Sequence, residues 1–343
     1  MKAVHIAEPF GLDHLPLSQQ TDPGDPGPGQ IRVRVHASSL NFHDLSVVTG
    51  IMKAPSGRIP MADGAGVVEA VGAGVVEAVG DGVGEFTVGD HVVSTFFPQW
   101  LNGEAPIGDF STTPGDGVDG FAREVVVAGS TAFTHAPKGF SHAEAATLTT
   151  AGLTAWRALI VNGQLKPGDS VLLLGTGGVS IFALQIAKAM GATVIITSSS
   201  DEKLERAKQL GADHLINYRQ DEKWAKTVGD ITSGRGVDHV VEVGGPGTLA
   251  GSIRAVRVGG HIALIGVLTG IAGPVPTAAL MAKQARLQGL IVGSRQHQID
   301  MVRGIEAMGL KPVIDKSFPL EEISAAFTMM QAGGHFGKIA LEF

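Results

Sequence analysis

The stretch Gly175–Ser180, "GTGGVS", narrows the folds open to this chain more than any other segment. It follows the apolar run "SVLLLG" and leads without a break into "GVSIFALQIAKAM", whose apolar spacing is helical. A strand, a glycine turn and a helix start in that order suit a pyrophosphate. Gly175 permits the tight turn, Gly177 lets the backbone approach the phosphates, and the helix N-terminus stabilises their charge. The third glycine of the usual fingerprint is Ser180 here, still small enough for the helix to pack on the strand. Glycine spacing alone is weak evidence; its place within alternating strands and helices makes it specific. The alternative is a glycine-rich turn in an α/β protein that binds another ligand.

That alternation runs through the second half of the chain. "TVIITS", "HLINY", "VDHVVEVG" and "GHIALIG" read as strands, with helical segments such as "DEKLERAKQLG" between them. Near-continuous apolar strands separated by helices predict a doubly wound parallel sheet. Before it, residues 1–130 read as short β-runs broken by glycine and proline, including "QIRVRVHA", "GDHVVSTFF" and "FAREVVVAG". Residues 96–120 have closely spaced turn residues and no periodicity, and read as one long loop. "SHAEAATLTTAGLTAWRALI" reads as a helix, with Ser141 as N-cap and Glu144 completing a capping box. The expected division is a β-rich domain over 1–145, a dinucleotide-binding domain over 146–290, and a C-terminal return, 291–343, to the first domain.

Composition limits the function classes. The 343 residues carry a net charge of -7 and no Lys/Arg block, which argues against a nucleic-acid surface. There is no cysteine, so disulfides and thiolate-bound zinc are excluded. The most apolar long stretch, 261–282, is broken by glycine and proline, so no membrane span is expected. The opening residues lack the pattern of a signal peptide, and a cytoplasmic location is the expectation.

The end of the second strand selects between dinucleotides. An Asp or Glu there would accept hydrogen bonds from the ribose hydroxyls of NAD. This chain has Ser198, Ser199 and Ser200, with Lys203 one turn on. Hydroxyls and an ammonium suit a 2′-phosphate, so NADP(H) is favoured over NAD(H). Asp201 and Glu202 are expected in the first turn of the following helix, facing its dipole. The serines also suit a plain role as turn and cap residues.

Five segments together resemble the medium-chain dehydrogenase/reductase superfamily, and within it the zinc-free quinone oxidoreductase-like branch. They are "SSLNFHDLSVVTG", "PMADGAGVVEAVG", "AATLTTAGLTAWRAL", "KPGDSVLLLGTGGVSIFALQIAKAMGA" and "LGADHLINYR". The resemblance covers essentially the whole chain. It implies a Rossmann domain beside a GroES-like β-rich catalytic domain, with Gly175, Gly177, Gly178 and Val179 at the phosphates. It adds Thr154, Tyr218 (near the 2′-phosphate), Val243, Gly244, Gly266, Val267 and Lys338 as cofactor contacts. It also implies a homodimer joined at the Rossmann sheet edge, near "IGVLTGIAGPVP".

Aligned with the zinc enzymes of the superfamily, the positions of the three catalytic ligands hold Asn41, Ala62 and Ala146. An amide and two methyl groups cannot hold zinc. Without a metal, charge developing on a carbonyl is easiest to accommodate in a quinone or an α,β-unsaturated carbonyl. The resemblance places Asn41 and Asp44 at the nicotinamide pocket. It also places His43 where a proton relay begins, and a histidine there can donate a proton at neutral pH. The other reading is that His43 and Asp44 hydrogen-bond each other or the backbone in a capped turn.

One feature stands apart from this pattern. Residues Gly64–Val71 recur unchanged as Gly72–Val79, where the strand motif is expected once, which points to a tandem duplication across 64–79. Eight is an even number, so either copy fits the strand with its apolar face inward. The first copy is expected in the sheet, since that keeps Asp63 in place; the second then spans about 26 Å of extra chain. Three functions remain open: an NADPH-dependent reductase of a small quinone or conjugated carbonyl, a zinc-independent alcohol dehydrogenase, and a cofactor-binding protein impaired by the insertion.

Overall fold

Six strands between residues 170 and 289 pair in parallel throughout. Their spatial order is His214–Asn217, Thr193–Ser198, Ser170–Leu174, Val237–Glu242, Val256–Leu264 and Arg286–Gly289. Numbered along the chain this is 3-2-1-4-5-6, the doubly wound dinucleotide-binding order. Val171, Leu172, Val194, Ile195, Val240 and Val241 are buried within it, as strands covered on both faces require.

The computed structural model describes residues 1–72, 83–106 and 108–343. The chain forms two units, Thr154–Ile291 and Met1–Leu153 with Val292–Phe343. The C-terminal segment therefore belongs with the β-rich unit. So do residues 146–153, which the sequence places with the dinucleotide-binding domain. The reason lies in side chains: Thr149 donates to Ser94 O (2.9 Å) and Thr150 to Asp63 Oδ1 (2.6 Å), both within the β-rich unit.

In that unit a seven-stranded sheet is organised around Gln30–Ser39, which pairs antiparallel with Ala65–Val71, Val125–Gly129 and Lys338–Glu342. The first repeat copy supplies the strand Ala65–Val71. Val68 faces a core of Ile31, Val33, Val92 and Phe133, while Glu69 on the opposite face binds Arg32 (3.0 Å) and Arg34 (2.5 Å). The second copy, from residue 73 on, lies outside the described residues.

The expected helix after Ser141 begins as its sequence requires. Ser141 accepts from the Glu144 amide (3.1 Å), and Glu144 accepts from the Ser141 amide (2.8 Å). It does not continue as one α-helix. Leu148–Gly152 and Arg157–Asn162 widen into π-turns, a distortion that recurs at functional sites. The first of these turns carries the two threonines that bond outward. Among the described residues no helix is long and apolar enough to cross a membrane.

Candidate active site

The glycine turn lies at the carboxyl end of the strand Ser170–Leu174. Gly175 has a φ of 73°, a conformation that disfavours any side chain, and open space where a Cβ would stand. Gly177 is the N-cap of the helix Gly178–Ala189, in extended conformation, again with nothing near a Cβ position. The amides of Gly178, Val179 and Ser180 therefore begin a twelve-residue helix without intrahelical acceptors, beside an open cradle. Ser180 does more than stand in for glycine: its hydroxyl is buried and donates to Leu174 O at 2.7 Å, tying helix to strand. These residues fit a pyrophosphate.

The strand Thr193–Ser198 is the sheet neighbour of Ser170–Leu174. Ser198 is buried and lies 3.5 Å from the Thr176 hydroxyl, and the Tyr218 amide donates to Ser198 O at 3.0 Å. Tyr218 is thereby held beside the serine corner, about two-fifths exposed (42%). Ser200 caps the helix Asp201–Gln209 by accepting from the Lys203 amide (3.3 Å), so for this serine the capping role is realised; Ser199 lies between the two, partly buried. Asp201 and Glu202 occupy the first turn, as expected, and Asp201 accepts from Asn217 (2.7 Å) and Gln220 (2.9 Å).

Val243 and Gly244 follow the strand Val237–Glu242, and Gly266 and Val267 follow Val256–Leu264. All four thus lie at carboxyl ends of strands, the edge where open α/β sheets bind ligands. Sequence reasoning missed Glu242. Fully buried, it accepts from the amides of Gly244 (2.8 Å) and Gly245 (3.0 Å) and from the hydroxyls of Thr248 and Ser252. The available signal was an acid at the end of an otherwise apolar strand. Thr154, the first residue of this unit, is buried in a short helical turn.

The β-rich unit holds a buried polar network. Asn41 caps the helix Phe42–Val48. Its amide N–H (2.9 Å) and its Nδ2 (3.1 Å) both donate to Asp44 Oδ2. Asp44 Oδ1 accepts from the Ala62 amide at 2.9 Å. Burial pushes the Asp44 carboxyl up to about 6, partly opposed by His43. Asp63, also fully buried, accepts from Ser39 (2.5 Å) and Thr150 (2.6 Å). Between the two acids lies Lys338, whose Nζ donates to Leu40 O and Asn41 Oδ1, each at 2.6 Å, and stands 3.6 Å from Asp63 Oδ2. Burial lowers its pKa against the pull of both carboxylates. The ammonium of Lys338, expected at the cofactor, is committed to these groups of its own unit. His43 does not join Asp44 in the capped turn: Nδ1 is 4.0 Å from Asp44 Oδ1, while Nε2 lies 3.2 Å from Asp116 Oδ2.

This network decides whether zinc fits. Ala62 and Ala146 present buried methyl groups, and the Asn41 amide oxygen already accepts from an ammonium. Among the described residues no three His, Asp or Glu side chains converge on a point a metal could occupy. The donor set at Asn41, Ala62 and Ala146 does not fit zinc, and the fixed cation there is Lys338.

Comparison with known proteins agrees with both units. Residues 27–138 match the alcohol dehydrogenase GroES-like domain, and residues 178–307 match the zinc-binding dehydrogenase family. A zinc-type alcohol dehydrogenase-like protein of Schizosaccharomyces pombe is 40% identical over 97% of this chain and 96% of its own. Among solved structures, a putative alcohol dehydrogenase of Sinorhizobium meliloti is 42% identical with a TM-score of 0.89, covering 99% of this chain and 98% of that one. An NAD-dependent alcohol dehydrogenase is 34% identical with a TM-score of 0.88, covering 100% of both chains. A quinone oxidoreductase of Pseudomonas syringae is 29% identical with a TM-score of 0.81, covering 100% of this chain and 99% of that one. With a doubly wound sheet and a GroES-like unit both in place, the chain belongs to the medium-chain dehydrogenase/reductase superfamily and is an oxidoreductase.

Proposed function

We propose that the protein is an NADPH-dependent, metal-independent reductase of a quinone or an α,β-unsaturated carbonyl. The observation that carries this reading is Lys338: its ammonium donates to the Oδ1 of Asn41, so the side chain that the resemblance aligns with a zinc ligand is turned to a cation of the protein itself. Acceptors that delocalise their developing charge need a polarising metal least. A bound nicotinamide supplies the hydride. The chain's own part is to hold the pyrophosphate at Gly175, Gly177, Gly178 and Val179, and to supply a proton from His43, with Asn41 and Asp44 ordering the surrounding hydrogen bonds.

The preference for NADPH is supported by the serine corner. Ser198 and Tyr218 adjoin there, Ser199 and Lys203 are nearby, and the adjacent carboxylate of Asp201 is held by Asn217 and Gln220. A second reading, a zinc-independent alcohol dehydrogenase, is favoured by the names of the relatives reported above. Assays of NADPH oxidation with quinone and enone acceptors, and of alcohol oxidation with NADP⁺, all with chelator present, separate the two. Turnover of the acceptors alone supports the reductase; steady alcohol oxidation with no acceptor reduction overturns it. We also propose a homodimer formed at the edge of the parallel sheet. Its support is the exposed apolar run Val267, Leu268 and Ile271, the last 91% exposed.

A further inference from the structure

His43 is gripped by the 96–120 loop. Its Nε2 lies 3.2 Å from Asp116 Oδ2, both side chains are only 12% exposed, and Phe96 and Phe110 close on the ring at centroid distances of 5.4 and 5.0 Å. An ionised carboxylate only accepts, so this bond requires a proton on Nε2. Nδ1 is buried and makes no hydrogen bond. A buried polar atom left this way calls for a partner, and the acidic oxygen facing it is Asp44 Oδ1 at 4.0 Å.

Asp116 is not loosely placed. Its segment is pinned to the stretch that leads into Ala62 and Asp63: Gly120 donates to Ile59 O (2.7 Å), Phe121 to Met61 O (2.9 Å), and Arg58 to Gly117 O (3.0 Å). A Cβ on Gly120 would stand 2.2 Å from Met61 O, so the approach depends on glycine. The charged groups facing the imidazole are Asp116 from the loop and Asp44 from its own helix. Asp63 and Lys338 act on Asp44 from beyond.

We propose that Asp116 is a positioning residue: it fixes His43 as the Nε2–H tautomer and leaves Nδ1 as the one ring nitrogen that exchanges a proton during turnover. The inference rests on His43 being the proton donor of the proposed reaction. In that step the substrate takes two electrons as hydride, and its oxygen takes the proton from Nδ1. The imidazolium that donates becomes the neutral ring with Nε2–H kept on Asp116, and Nδ1 then recovers a proton from water, restoring the cation for the next turnover.

The test follows the imidazole resonances of His43 by ¹⁵N NMR across a pH series, in the full chain, with assignment by their loss in His43→Gln. Asp116→Asn keeps an acceptor but removes the charge; Asp116→Leu removes both. At pH 8 the parent and Asp116→Asn should show the Nε2–H tautomer, and Asp116→Leu a mixture of tautomers. The His43 titration midpoint should fall by about one pH unit in Asp116→Asn, because an anion beside the imidazolium is lost. In the NADPH assay kcat should fall roughly tenfold in Asp116→Asn with KM for NADPH unchanged. An unmixed Nε2–H tautomer in Asp116→Leu, or an unmoved midpoint in Asp116→Asn, overturns the proposal; if Asp116→Leu does not fold, the midpoint alone decides. A parent that turns over no acceptor, yet shows the tautomer shift, keeps the positioning role and sinks only the proton-donor reading.

Discussion

The two units handle charge by opposite means. In Thr154–Ile291 the candidate phosphate cradle is made of backbone: amides at a helix start, a glycine with φ of 73°, and hydroxyls. No ionised side chain is buried in that cradle, and Glu242 acts behind it by fixing the neighbouring turn. In the β-rich unit the candidate chemistry rests on buried ionisable side chains, Asp44, Asp63 and Lys338, each satisfied by the others' neighbours. A backbone cradle tolerates changes in side chains around it and fails when bulk enters it. A buried ionic network fails when any member is removed, because the remaining charges lose their partners.

The sharpest way to break this contrast is to remove the cation. Lys338→Met leaves Asp63 buried with only hydroxyl donors, and should cost about 3–5 kcal/mol. In thermal unfolding followed by circular dichroism this is a fall of roughly 10 °C; an unchanged midpoint would show that the network does not depend on the ammonium.

Next in size, Gly177→Val places a branched side chain against the phosphate cradle. NADPH affinity, read by fluorescence titration, should weaken about 100-fold, equivalent to ~2.7 kcal/mol. Unchanged affinity would mean that the turn does not carry the nucleotide.

A smaller effect separates the units by pH. The folded-state pKa of Asp44 is raised to about 6, mainly by burial, so its protonated form favours the fold. That contribution is full below the unfolded value near 4 and is lost as pH rises through 6. Relative to the parent, Asp44→Asn should therefore gain roughly 1–3 kcal/mol between pH 4 and pH 7 in denaturant titrations. A difference that stays flat with pH would contradict a raised pKa.

The smallest expected effect is that of deleting Gly72–Val79. The first copy already supplies the strand and the connection to Asp63, so NADPH affinity and turnover should stay within about twofold of the parent, a difference of ~0.4 kcal/mol. Loss of either would mean that the second copy contributes to the site.

Legibility in the sequence follows the same division. The glycine turn, the alternation of strands and helices around it and the capping box at Ser141 are local patterns, readable because backbone geometry constrains neighbouring residues. The serine corner was half legible: Ser198 and Tyr218 do adjoin, but Ser200 spends its hydroxyl on a cap. Asp116 and Thr150 were invisible, since their partners lie 73 and 87 residues away and nothing in the local pattern marks them. The break in the long helix was missed for the same reason, because the threonines that bond outward from it answer to Ser94 and Asp63, far away in the chain. The protein partners of Lys338 were not legible, since a lysine near the C-terminus gives no sign of which buried groups it will meet.

The strand Ala65–Val71 has an identical twin in the sequence, and this makes the sheet redundant in a lopsided way. A polar substitution at Val68 would ordinarily be ruinous, yet the sequence holds a second copy with a valine at the equivalent position, 76. Sliding that copy into the sheet could restore the core, but it would interpose eight residues between Asp63 and its strand. Such a chain would keep its shape and lose the anchor of its polar network. Damage to this one strand is thus a place where foldedness and chemistry can come apart.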